Sequence, residues 1–250
     1  WPEVLARALT AQGLVSARSG NTEGAGRLLT EAVQRCAEAG LLRERGTAIM
    51  GLAWIAMRAE EHASAEQLFS EAVDIFGRQT AECADALNGL AEVVRAQGQH
   101  ARARSLYEQS LAVSTSSITK AVVRLNLGLC MLRAQEHREA RVVVEKAWQE
   151  FRRQGRSRYQ GFAAALLLPT LAAAANWSAF DQRLEEATST LSETGAASAD
   201  AAWALVQASA LCKEASQARR GWSCLVLALA QYRAAGAEEE AEQVRLAMKG

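Results

Sequence analysis

A small residue followed twelve positions later by an alanine recurs four times in the first 150 residues. The pairs are Gly13 and Ala25, Ala53 and Ala65, Ala91 and Ala103, and Gly128 and Ala140. The alanines are themselves about forty residues apart, a period that belongs to stacked helical hairpins. The copy at residues 86–111 shows the unit most clearly. Leu87, Leu90, Ala91 and Val94 share one face of a first helix, and Gly98 breaks the pattern. Ala103, Leu106, Tyr107 and Leu111 then share one face of a second helix. Ala91 and Ala103 are small where the helices must approach. Tyr107 and Leu111 are large where the second helix must fill the space beneath the first.

Taken in order, the spacing predicts hairpins at 2–40, 42–78, 81–114, 118–154, 159–193 and 198–235, and a terminal capping helix at 237–249. This is an all-α chain of about thirteen helices, read as one domain over residues 1–250. Pro2 suits a helix start. Thr22 is expected to cap the second helix, with Glu23 in its first turn, and Gly40 and Gly77 are expected stops. Ser117 or Thr119 is expected to cap the helix that follows the polar run at 114–117. The fifth hairpin is irregular. Pro169 predicts a kink or break, and Phe180, in place of the alanine, predicts that its two helices are pushed apart. Gly221 takes the alanine's place in the sixth hairpin. Glu238, Glu239 and Glu240 open the last helix, where their charges complement its dipole.

This pattern resembles the tetratricopeptide repeat (TPR) family: a small residue after Leu in the first helix, a turn glycine, then Ala, a large residue and Ala in the second. The resemblance is good over residues 1–150 and fades beyond. It implies a right-handed superhelical solenoid of about six hairpins whose first helices line a concave, partner-binding side. Carried onto this sequence, the inward positions are Arg7, Thr10, Leu14 and Ala17; Thr47, Met50, Trp54 and Met57; Asp85, Asn88, Glu92 and Arg95; and Val122, Leu125, Leu129 and Leu132. Some members grip a peptide's terminal carboxylate with Lys and Asn at such places. Here only Asn88 conforms, which argues against that clamp. The expected partner-binding residues are therefore Met50, Trp54, Met57, Asn88, Glu92, Arg95, Leu125, Leu129 and Leu132. Apolar side chains dominate the set, and they serve either an adaptable contact or the core between hairpins.

No constellation for chemistry emerges. His62, His100 and His137 each stand three residues before a repeat alanine, so the repeat disperses them, whereas a zinc site needs three or four ligands at one point. The glycines of GNTEGAG (residues 20–26) follow a helix rather than a strand and lack the Lys-Ser of a phosphate loop. No nucleophile elbow or triad order is present. The expectation is no enzyme, no cofactor and no metal. Cys36, Cys83, Cys130, Cys212 and Cys224 are scattered and contain no CxxC, which suits small core residues in a reducing cytoplasm.

The 28 basic residues balance the 28 acidic ones, giving no general attraction to nucleic acid or an anionic membrane. Arg152, Arg153, Arg156 and Arg158 form the densest basic cluster, with only Tyr159 near for stacking. The apolar run 163–169 is too short to span a bilayer. The opening Trp1 suggests a segment of a longer protein. The last 75 residues look like the helical-repeat regions of large bacterial regulators, in particular those linked to serine/threonine kinases. The reading is a protein-interaction or scaffold module for a peptide, a protein or another domain of its own chain. A ligand- or peptide-sensing domain, or an intramolecular arm of a kinase or ATPase, is the alternative.

Overall fold

In a computed structural model, residues 1–77 and 80–249 are described. The predicted end of the second hairpin, at residue 78, lies outside them. Among the described residues there are thirteen α-helices and no strand. They are α1 (Pro2–Arg18), α2 (Thr22–Glu38), α3 (Leu42–Arg58), α4 (His62–Phe76), α5 (Ala81–Ala96), α6 (His100–Val113) and α7 (Ser117–Arg133), followed by α8 (His137–Arg153), α9 (Ser157–Ala173), α10 (Trp177–Thr194), α11 (Ala199–Glu214), α12 (Ala218–Ala234) and α13 (Glu238–Ala247). They fall into two compact units, Trp1–Val123 and Arg124–Gly250.

The second helix of each hairpin buries one narrow stripe. Ala25, Leu29, Ala32 and Cys36 of α2 are buried at i, i+4, i+7 and i+11. Ala65, Phe69, Ala72 and Phe76 of α4 follow the same spacing, as do Ala140, Val144, Ala147 and Phe151 of α8. That spacing returns to one face of a 3.6-residue helix. Leu29, Phe69 and Val144 of these stripes each meet a glycine. In the first unit a Cβ on Gly13 would lie 2.7 Å from Leu29, one on Gly51 2.8 Å from Leu29, and one on Gly89 would run into Phe69. Leu29 is thus held between α1 of its own hairpin and α3 of the next. In the second unit a Cβ on Gly128 would run into Val144.

The turn inside each hairpin is also constant. The residue that opens the second helix's N-cap donates its N–H to a carbonyl five residues back: Asn21 to Ser16, Glu61 to Ala56, Gln99 to Val94, Glu136 to Met131, Asn176 to Leu171 and Gln217 to Cys212. This six-to-one bond closes a Schellman turn, which needs a left-handed residue just before it. Gly20 and Gly98 supply that conformation, but so do Glu60, Gln135, Ala175 and Ser216, at φ between 50° and 63°. His62, His100 and His137 are the first residues of α4, α6 and α8.

Ion pairs repeat with the hairpins. In the first unit Arg7 pairs with Glu44 (2.8 Å) and Arg43 with Glu82, linking successive first helices, while Arg102 and Glu66 (2.6 Å) link α6 and α4. In the second, Arg183 with Glu145 (3.0 Å) and Arg220 with Asp181 (2.7 Å) link successive second helices. Such exposed pairs contribute little stability each, but they fix register between neighbouring hairpins.

Four local expectations are corrected. The cap of α2 is Asn21, whose side chain accepts from the N–H of Gly24 at 3.0 Å, and Thr22 is already helical. Ser116, not Ser117 or Thr119, caps α7, accepting the Thr119 N–H at 3.3 Å. Pro169 does not break α9, which runs through it to Ala173. Residues 161–172 are all buried, against α8, α10 and α11, so packing on several sides outweighs one lost helical bond. Nor does Phe180 part its hairpin. It is wholly buried, it meets Trp177 edge-on at 5.8 Å, and α9 and α10 pack as extensively as α3 and α4.

Candidate functional site

Within the first unit, α1 and α3 run side by side and leave a groove of about 480 Å³ between them. Its walls are Leu14, Ala17 and Arg18 from α1, and Thr47, Met50, Gly51, Trp54 and Arg58 from α3. Leu14 rests on the core built from Leu9, Leu29, Ala32 and Ala48. Met50 rests on a second core that holds Ile49, Phe76 and Leu87. Trp54 is half-buried, with Phe69 standing edge-on to it at 5.0 Å and 81°. The apolar wall is therefore continuous with the interior, and its side chains are held from behind. Gly51 keeps it open: Leu14 and Leu29 already crowd the place where a Cβ would stand.

Two polar contacts brace α1 against α3. Arg7 binds Glu44 near the start of α3. A hydrogen bond from its own backbone N–H, together with Arg7, holds the Glu44 carboxyl below the usual carboxylate range. Near the other end Arg58 donates from Nη1 to the carbonyl of Ala17 at 3.1 Å, in the last turn of α1, where a cation complements the helix dipole. Arg18 is exposed at the same end. No carboxylate is among the lining residues, so the groove is apolar along its length and cationic at one end.

Of the residues expected at a binding face, the groove brings together Met50 and Trp54. Met57 is half-buried on α3 but does not line it. Asn88, Glu92 and Arg95 lie on α5, where Asn88 is buried and donates to Glu92 at 2.8 Å. Leu125, Leu129 and Leu132 fall in the second unit and are buried there, at 8%, 3% and 1% exposure. Sequence reasoning did not single out Arg18 and Arg58. The signal was available, since each is the basic residue in the last turn of a first helix.

The arginine cluster is engaged locally. Arg153 pairs with Glu150 at 2.6 Å, Arg152 lies over the Trp148 ring and Arg158 over the Phe162 ring. Among the described residues no group of His, Cys, Asp and Glu is arranged to hold a metal ion. Burial holds the His137 imidazole below its ordinary range, and Nε2 lies 3.1 Å from Gln135 Oε1. All five cysteines are buried, and none forms a disulfide among the described residues. No helix among the described residues is long and apolar enough to cross a membrane.

The repeated stripe, glycine contact and turn have a known counterpart. Residues 82–148 match the tetratricopeptide repeat. The thirteen helices adopt a TPR-like helical-repeat arrangement, shared with solved structures of low sequence identity. PilF of Pseudomonas aeruginosa superposes with a TM-score of 0.69 at 18% identity, covering 98% of both chains. RapI in its apo form superposes at 0.70 and 12% identity, covering 98% of this chain and 95% of that one. A Rap protein complexed with Competence and Sporulation Factor superposes at 0.65 and 11% identity, covering 96% of this chain and 73% of the other. At these identities the likeness establishes the TPR-like fold alone. No curated protein sequence matches the chain.

Proposed function

We infer that this chain binds a peptide segment of a partner protein in the groove between α1 and α3, in keeping with the protein–protein interaction that TPR-like helical repeats generally serve. The observation that carries this is the groove's composition: a supported apolar wall of Leu14, Met50 and Trp54, ending at Arg18 and Arg58 with no acid among its residues. A half-buried tryptophan supported from behind supplies a large contact at little entropic cost, and methionine adapts to the shape of its ligand. The guanidinium groups select an acidic group beside the apolar residues. About 480 Å³ accommodates a few side chains of a bound segment.

A regulatory segment of a larger bacterial signalling protein, of the kind linked to kinases, is the setting we attach to this activity. It is supported by the sequence resemblance of the last 75 residues. The peptide reading also draws support from the Rap protein complexed with Competence and Sporulation Factor, whose fold is similar.

The test is selection of phage-displayed random peptides on the 250-residue chain. The expected winners combine two or more large apolar residues with Asp or Glu, and Trp54→Ala or Met50→Glu lowers their affinity at least about tenfold. Winners that bind both variants as well as the parent overturn the assignment of the groove. Winners that lack acids and ignore Arg18→Gln keep the groove but overturn the role given to its cationic end.

A further inference from the structure

The first helix has a second apolar face. The face turned inward, toward α2 and α3, is Ala6, Leu9, Thr10, Gly13 and Ala17. On the opposite side Val4, Ala8, Ala11 and Val15 are all exposed, the two valines at 63% each. At 100° per residue these four lie within about 60° of one another, a single straight stripe along the helix. Trp1 stands at its N-terminal end and Leu5 flanks it, at 100% and 46% exposure. An exposed apolar stripe of this length marks a contact surface.

The stripe is self-complementary. Its members are placed symmetrically about a point midway between Leu9 and Thr10. A two-fold axis there runs a second α1 antiparallel to the first and sets Val4 opposite Val15 of the other copy and Ala8 opposite its Ala11. The small residues meet at the centre, where two helices can approach closely, and the larger ones close the ends. The same axis brings Glu3 to the level of the other copy's Arg18, about two residues or 3 Å apart along the helix and on the same flank. Neither Glu3 nor Arg18 has an ion-pair partner among the described residues. An isologous contact makes this charge pair twice. We propose that the outer face of α1 is the contact of a two-fold homodimer, in which α1 packs antiparallel against α1 of a second copy.

One helix pair buries less than the roughly 800 Å² per partner of a standard interface, so the dimer is reversible in the micromolar range. Sedimentation of the 250-residue chain from about 1 to about 300 µM tests this. The expected mass rises with concentration from 26.9 kDa toward twice that value. Ala8→Glu abolishes the rise without lowering the melting temperature, because Ala8 touches no core. Glu3→Arg weakens the dimer at least about threefold at low salt, and adding Arg18→Glu to it restores the dimer. Trp54→Ala, on α3, leaves the dimer intact, so this test stands or falls apart from the groove. A monomer at every concentration overturns the proposal, as does a dimer that tolerates Ala8→Glu. A charge exchange that fails to restore association overturns the antiparallel register.

Discussion

Leu29 offers the most quantitative test of the repeat packing. It is wholly buried, with Gly13 on one side and Gly51 on the other. Leu→Ala in a core costs about 2–5 kcal/mol, and the cost rises with the cavity left behind. Neither glycine has a side chain to move into the space, so Leu29→Ala should fall near about 4 kcal/mol. Gly13→Ala attacks the same contact from the other helix. Its new methyl would lie 2.7 Å from Leu29 Cγ and 2.8 Å from Cδ2. Overpacking of that kind costs about 1–3 kcal/mol, offset by about 1 kcal/mol of helix propensity. The single variant should therefore lose up to about 2 kcal/mol. With Leu29 already shortened the clash is gone, and Gly13→Ala should instead gain about 1 kcal/mol. The coupling between the two positions is then about 1–3 kcal/mol, well above the error of additivity for independent sites. Urea unfolding of the four proteins, followed by tryptophan fluorescence, measures it. Additive effects would refute the packing of the small residue in α1 against the large residue in α2.

Three further outcomes follow from other parts of the chain. Ala175 holds a left-handed turn position at φ 50°, so Ala175→Gly should raise stability by about 0.5–1 kcal/mol in the same assay, after the added freedom of the unfolded chain is subtracted. The hydrogen bonds from Arg220 hold the Asp181 carboxyl below its usual range. The stability this gives is present above the unfolded carboxylate pKa of about 4 and is lost as pH falls through the lower folded value, so Arg220→Gln should move acid unfolding, followed by circular dichroism, to higher pH. Burial pushes the Cys212 thiol up to about 11 and the Cys224 thiol higher still, so both should resist iodoacetamide at pH 7.5 in the folded chain and react once it is unfolded in urea, as read by mass spectrometry.

The helices were legible because their signal is local and repeated. The pairing of Gly13 with Ala25 or Ala91 with Ala103 places two helices and the contact between them at once. Gly51 and Gly89 carried no such signal. Each serves the contact with the preceding hairpin, against Leu29 and Phe69, and a spacing rule drawn within one hairpin does not reach it. The turns were half legible. Gly20 and Gly98 announce a left-handed residue, whereas Glu60, Gln135, Ala175 and Ser216 occupy that conformation under the constraint of the six-to-one bond. The break offered at Pro169 does not occur, because local propensity describes the isolated helix and α9 is buried on several sides. In the site, the leucine spacing of α7 could not separate an outward row from a buried one. Leu125, Leu129 and Leu132 are buried, while Met50 and Trp54, read by the same counting, stay accessible. Arg18 and Arg58 gain their meaning only when α1 and α3 lie side by side.

Methionine methyl NMR tests whether a bound peptide lies in the groove between α1 and α3. The chain has four methionines, Met50, Met57, Met131 and Met248. Met50 lines the groove, and Met131 is buried in the second unit at 6% exposure. With methyl-labelled methionine, a peptide from the phage selection is titrated to saturation. The Met50 resonance is expected to shift progressively, Met131 to stay in place, and the Met50 shift to be lost in Trp54→Ala. A saturating peptide that leaves Met50 unmoved would contradict that placement.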